Sequence, residues 1–357
     1  MFCKDNFSET QKRFDAFWNK ELVDRVPISV ISPKRGREIP PSNASYYNMY
    51  HAVKDGKYDA ILDNFEARIE NTYFGGEALP FFEIAIGPDQ FAAFLGAELI
   101  AREDMPTTWV HKALDTLEDY EPALDLSEDG YFKKVLAFYE KASKRCDGKY
   151  FLQMLDLHSN MDTLSALRSP QELCFDLYDC PEEVERVLAG VRKLYRPVYD
   201  AVFKAGNMEK YGSIGWAPTY CRGKFAVVQC DFSCMMSPDF ARKYVIDAVR
   251  EEASYLDRCV YHYDGKEALG HLDDILAIPE IDCIQWVPGD GNPRSIEWMP
   301  LLEKIQKAGK SLWIYDWTPE EIMTRFKDLE VNKVFFSTYV GTQDEAERLI
   351  EYLEKHM

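Results

Sequence analysis

The chain has 357 residues, 46% of them hydrophobic, with 61 acidic against 42 basic side chains and a formal net charge of −19. Such a chain can bury a large core, which excludes disorder as a description of the whole. Its acidity repels a phosphate backbone, so nucleic-acid binding is set aside.

Residues 7–19 are expected to form a helix, 26–31 a strand, 55–72 a helix and 82–86 a second strand. From Gly148 onward, short apolar runs alternate with amphipathic stretches. Strands are predicted at 150–155, 210–214, 259–262, 282–286, 311–315 and 333–337, and helices at 181–205, 238–257, 266–277, 295–308, 319–327 and 342–355. Ser237-Pro238 and Thr318-Pro319 pair a cap with a proline in the first turn, and Thr342 precedes acidic residues. Eight strands with helical crossovers predict an α/β fold, a (β/α)8 TIM barrel with N-terminal helical additions, in one domain over residues 1–357. The rival is a doubly wound open sheet. The glycine-rich phosphate loop usual after its first strand is missing here.

Nine cysteines without a Cys-x-x-Cys pair read as reduced thiols. The stretch from Met1 to Glu9 is too polar for a signal peptide, and no apolar run approaches the roughly 18 residues of a membrane span, so the expected location is the cytoplasm.

In a parallel barrel the residues just past each strand face the mouth, which turns the strand ends into site candidates. After the first strand, Lys34, Arg35 and Arg37 form either an anion clamp around Gly36 or a solvated basic loop. Asp156 and His158 share one side of an extended stretch, an arrangement that raises imidazole basicity; Asp162 reads as part of that cluster or as a helix cap. Trp216, between Gly215 and Pro218, reads as a stacking surface or a buried turn residue. Asp231 is a candidate acid, and Cys230 a metal ligand or a core thiol. His262 and Asp264 end the strongest strand on a common face and are the leading catalytic pair, while His271 reads as helix packing. Trp286, Gly289 in its Pro-Gly-Asp-Gly loop, and Tyr339 complete the expected substrate surface.

Several segments carry a resemblance: Glu21 to Pro27, Ile86-Gly87-Pro88, Phe94 to Glu98, Met236 to Phe240, Cys259 to Gly265 and Asp273 to Leu276. On these the chain resembles the uroporphyrinogen decarboxylase superfamily, nearest the branch of corrinoid- and coenzyme M-linked methyltransferases. The resemblance implies a (β/α)8 barrel. It implies a decarboxylase-type carboxylate clamp at Lys34, Arg35, Gly36 and Arg37, where the motif is altered, and a pyrrole-binding acid whose nearest counterparts are Glu83 and Asp89. It also implies a methyltransferase-type zinc site in which His262 matches the histidine. Asp264 stands where the first cysteine would be, and Ser337 or Thr338 where the second would be. Without the two thiols, the expected zinc site is a harder set of His262 and Asp264 completed by Cys230 or Asp231.

The leading expectation is a methyltransferase moving a methyl group from a small donor to a corrinoid held by a partner protein. The alternatives are a cofactor-independent decarboxylase of a polycarboxylate and a non-catalytic small-molecule-binding barrel. A small-molecule substrate is expected throughout, without nucleic acid or membrane, and the oligomeric state stays open.

Overall fold

The computed structural model describes Lys4 and residues 6–357. Cys3 and part of the polar N-terminal stretch lie outside the described residues. The strands, in chain order, are β1 (Ile28–Pro33), β2 (Thr72–Gly76), β3 (Phe81–Phe82), β4 (Leu99–Ile100), β5 (Trp109–Val110), β6 (Phe151–Leu152), β7 (Ser213–Ile214), β8 (Tyr220–Cys221), β9 (Phe225–Val228), β10 (Arg258–Asp264), β11 (Cys283–Val287), β12 (Ser311–Ile314) and β13 (Val334–Tyr339).

A seven-stranded sheet runs β2-β1-β13-β12-β11-β10-β9, parallel throughout except for the antiparallel β2. β3 and β6 form a separate parallel pair, and a parallel bridge from Gln153 to Ile214 joins β6 to β7. The architecture is mixed α/β around a parallel sheet and is compatible with a barrel. Hydrogen bonding does not close it, because β2 occupies the free edge of β1 and the β7-β8 hairpin is a separate sheet from β9.

Alternate residues of the strands part into two cores, as the pleat requires. Phe225, Val227, Val260, Cys283, Trp313 and Phe335 fill the inside of the curved sheet, whereas Ala226, Val228, Tyr261, Ile284, Leu312 and Phe336 meet the surrounding helices. Helix Phe7–Trp18 plugs the inner core from below, with Phe14 at 5.5 Å from Phe335 and Trp18 at 5.7 Å from Phe225, ring centre to ring centre.

The expected strand at 82–86 pairs only over Phe81–Phe82, and the one at 210–214 only over Ser213–Ile214, after a short helix at Met208–Tyr211. The expected helix 181–205 breaks into Pro181–Arg192 and Tyr195–Ala205, with Pro197 just past the break. The helix at 238–257 likewise divides into Pro238–Tyr244 and Ile246–Ala253. Helix Tyr131–Cys146 was not expected, although Phe132, Val135, Phe138, Tyr139 and Ala142 give it an apolar stripe of helical spacing. No helix among the described residues is long and apolar enough to cross a membrane.

Candidate functional site

The loop after β6 brings three of the expected residues together. His158 is buried, with Nδ1 3.0 Å from Oδ2 of Asp162 and Nε2 3.0 Å from Oδ2 of Asp156. The first contact is an aligned hydrogen bond. The second is a close ionic approach whose angle leaves Nε2 without a hydrogen-bond partner. Burial pulls His158 down, but the two carboxylates outweigh it and hold the imidazole protonated, well above its usual range. Asn160 caps helix Met161–Arg168, so Asp162 sits inside the first turn and its carboxylate is free for other work. Its oxygens accept from the backbone N–H of Asp231 at 3.0 Å and of Phe232 at 2.8 Å. Burial pushes Asp162 up, but these bonds and the imidazolium prevail and hold it below the usual carboxylate range.

Asp231 opens a 3-10 turn, Asp231–Met235, after β9. Burial and the neighbouring Asp162 push its carboxyl up to about 6. Solvent reaches it along one side although protein walls surround it, so the crowding of like charges contributes with the walls. On β10, His262 lies opposite Gln285 of β11, and Nδ1 donates to Oε1 of Gln285 at 2.6 Å. That bond fixes the tautomer and leaves Nε2 with a lone pair. Asp264 follows on the same face of the strand.

The nitrogen and carboxylate oxygens of His158, Asp162 and Asp231 lie within 4.8 Å of one another, and so do those of Asp231, His262 and Asp264. Asp231 therefore joins all these residues into one row. The two halves differ in kind. His158 faces carboxylates through both nitrogens and is protonated, so it has no lone pair to give. His262 has one, and with Asp231 and Asp264 it offers the nitrogen and oxygen donors that suit a divalent cation.

Two cavities border this row and a third lies at neighbouring strand ends. One of about 390 Å³ is lined by Asp89, His158, Asp162 and Asp231, and one of about 460 Å³ by Asp264, Gly289, Asp290 and Tyr315. The largest, about 680 Å³, lies at the ends of β1, β3 and β13 and is mainly apolar, with Phe65, Phe82 and Tyr339 beside Tyr46, Arg68 and Glu83. Burial raises the Glu83 and Asp89 carboxyls. Tyr46 feels the charges of both Glu83 and Asp156, which ties this cavity to the polar row. Trp216 stands edge-on to His262 at 5.2 Å and to Trp313 at 5.5 Å, so it flanks the row.

Other expected residues lie elsewhere. Trp286 points outward. It alternates with the inward Gln285, belongs to the helix-facing core, and packs on Trp298 at 5.3 Å. Cys230 is likewise buried in the helix-facing core and is not among the donors that Asp231 groups with. Arg35 is turned away from the mouth, 2.6 Å from Asp344 and 2.9 Å from Glu347 of helix Gln343–Lys355, and Arg37 is exposed on the same turn. Neither lines a cavity of the mouth. Arg35→Ala and Arg37→Ala are therefore expected to change ligand affinity and turnover by less than about twofold, since exposed ion pairs contribute little; a tenfold loss in either, measured by titration and steady-state rates, would contradict this placement.

Glu252 was missed. It is fully buried on helix Ile246–Ala253 and accepts from Ser159 Oγ at 2.5 Å and from Asn160 Nδ2 at 3.4 Å, directly behind the His158 loop. Burial pushes its carboxyl from the ordinary 4.5 to about 8. The folded chain thus keeps a proton that the unfolded chain releases, so this stability is fully present below pH 4.5 and is lost as pH rises through about 8. Between about pH 5 and pH 8 the wild type should lose on the order of 3 kcal/mol relative to Glu252→Gln. Urea denaturation across that range checks it, and parallel curves for the two proteins would refute it.

A parallel sheet with carboxylates and imidazoles at the carboxyl ends of its strands defines the chain as an α/β protein. No family model matches the chain, and no curated protein does. Among solved structures, a methyltransferase from Methanosarcina mazei superposes with a TM-score of 0.59 at 13% sequence identity, over 97% of this chain and 98% of its own. At that identity the likeness establishes a shared fold.

Proposed function

We propose that this chain is a methyl-transfer enzyme, built on a (β/α)8 scaffold, that moves a methyl group from a small heteroatom-linked donor to a corrinoid carried by a separate protein. The observation that carries the reading is the row in which Asp231 joins a protonated imidazole, His158, to a second imidazole, His262, that is held by Gln285. The fold likeness to a methyltransferase supports it.

A divalent metal, with zinc as the expected ion, would be held by Nε2 of His262 and the carboxylates of Asp231 and Asp264, and it would supply a Lewis acid for the donor heteroatom. A set of nitrogen and oxygen without sulfur suits an oxygen or nitrogen donor. Gln285 keeps the His262 ring in the required tautomer. The apolar cavity around Phe65 and Phe82 receives the body of the donor and excludes water from it. In the transfer, the acceptor supplies the electron pair of the new bond to carbon and the heteroatom keeps the pair of the broken one. The departing heteroatom then takes up a proton from solvent, which reaches the row beside Asp231. With Arg35 and Arg37 outside the cavities of the mouth, the clamp expected for a polycarboxylate is not assembled there.

The test is incubation of the protein with cob(I)alamin and a panel of methyl ethers, methylamines and methyl thioethers, followed by absorbance. Methylcobalamin should form with at least one donor; its absence with all of them would end the proposal. Metal analysis tests the ligand set separately, and zinc below about a tenth of an equivalent would remove it.

A further inference from the structure

The cavity of about 680 Å³ at the ends of β1, β3 and β13 has mainly apolar walls, Phe65, Phe74 and Leu79 among them, and two charged side chains, Arg68 and Glu83. Neither forms an ion pair among the described residues, with the other or with any third group. The helix Asp59–Asn71 shows how Arg68 comes to be free. Its Glu66 faces the helix Tyr131–Cys146 and takes Arg145 at 2.8 Å. Arg68 follows two positions later, about 200° round the helix, and so turns to the cavity. Its Nη1 donates to the carbonyl of Pro40 in the cavity wall, which fixes the guanidinium. Nε and Nη2 have no acceptor among the described residues. They form the edge of a guanidinium that grips a carboxylate through two parallel hydrogen bonds.

Glu83, just past β3, accepts no hydrogen bond among the described residues and is exposed to the cavity. Burial raises its carboxyl because no counter-charge stands beside it. The Tyr339 hydroxyl feels both Glu83 and Arg68, so the two charges share one end of the cavity. An apolar pocket with one free cation and one free anion, too far apart to satisfy each other, is complementary to an apolar body that bears the opposite two charges.

We propose that this cavity binds an apolar zwitterion, a small molecule with one carboxylate and one ammonium group close together, as in an amino acid with an apolar side chain; Arg68 takes the carboxylate and Glu83 the ammonium. The inference rests on the methyl-transfer reading for the fate of the ligand, making the donor a methylated amino acid, but its binding stands apart from that chemistry.

The test is isothermal titration of the whole protein at about pH 7.5 and constant ionic strength, without cobalamin, using three probes of one body. Racemic N,N-dimethylphenylalanine carries both charges, hydrocinnamate only the negative one and N,N-dimethylphenethylammonium only the positive one. The zwitterion should bind saturably and at least about tenfold tighter than either singly charged probe. Arg68→Gln should bring it down to the affinity of the ammonium probe, and Glu83→Gln to that of the carboxylate probe. Both side chains are reached by solvent, so the variants should keep the melting temperature of the wild type. No saturable heat from the zwitterion up to about 50 mM, affinity no better than that of the singly charged probes, or an advantage unchanged in both variants would each overturn the proposal. Binding of the zwitterion with no methylcobalamin formed from any donor would fail the methyl-transfer reading alone, whereas methylcobalamin from another donor with no zwitterion bound would fail this one alone.

Discussion

Asp231→Asn yields a folded protein whose methyl transfer falls by at least about a hundredfold, the loss expected when a group in direct contact with a reacting centre or its cation is removed. Asparagine keeps the shape and one oxygen but not the charge. The backbone N–H of residue 231 still donates to Asp162, so the neighbouring loop keeps its position. What disappears is the carboxylate common to both donor sets. The stability effect has the opposite sign. Burial and Asp162 lift the Asp231 carboxyl to about 6, so its ionisation at neutral pH works against folding, and this cost grows from the unfolded value up through about 6. With metal removed by a chelator, the asparagine variant should be more stable at neutral pH by about 1 kcal/mol, a figure reduced because solvent screens the partly open side chain. Lower activity with equal or higher melting temperature marks a site residue, and the pair of measurements separates it from a structural one. Full activity in the variant would remove Asp231 from the chemistry and leave the row without its link.

Much of this arrangement was legible in residue order, and the limits have physical causes. His262 and Asp264 share a face because a strand has period two, and that rule needs no partner strand. The same rule pointed to Trp286 only if its own strand faced the right way. Its direction is set by register, His262 opposite Gln285, and register is a property of two strands. Arg35 and Arg37 were read beside a strand end, but the partners of Arg35 come from Asp344 and Glu347 at the far end of the chain. Strand β9 was missed because Phe225–Val228 has four buried residues and no alternation of polar and apolar, a run that periodicity cannot assign. Without it, Asp231 had no strand end to belong to. Glu252 left a usable signal. Val245, Ala248, Val249 and Glu252 fall at helical spacing on one buried stripe, and an acid on such a stripe asks for a partner or a proton.

The largest structural effect is expected at Glu77, which lines none of the cavities at the strand ends. Its side chain is fully buried and accepts from Arg25 through Nη1 at 2.8 Å and Nη2 at 3.0 Å, and from the backbone N–H of Ile28 at 2.7 Å. Arg13 adds a contact at 3.2 Å. Lys4 lies nearby, bonded to the carbonyls of Phe74, Gly76 and Ala78, and burial brings its ammonium down to about 8 against the pull of Glu77. One acid therefore serves three cations and the start of β1, where Gly76 approaches the Ile28 carbonyl too closely for any side chain. Glu77→Ala leaves the buried Arg25 with only the exposed Glu354, 3.5 Å from its Nε, and an amide of β1 without an acceptor. The expected loss is about 3–5 kcal/mol, the range for breaking one side of a buried pair. Replacing both partners, Arg25→Met with Glu77→Leu, should cost less than Glu77→Ala alone, because the Arg25 charge then leaves the interior together with its main partner. Urea denaturation of the three proteins tests both the size and the order. A Glu77→Ala loss below about 1 kcal/mol, or a double variant weaker than the single one, would mean that water reaches Arg25 and that the anchoring of β1 lies in its apolar contacts instead.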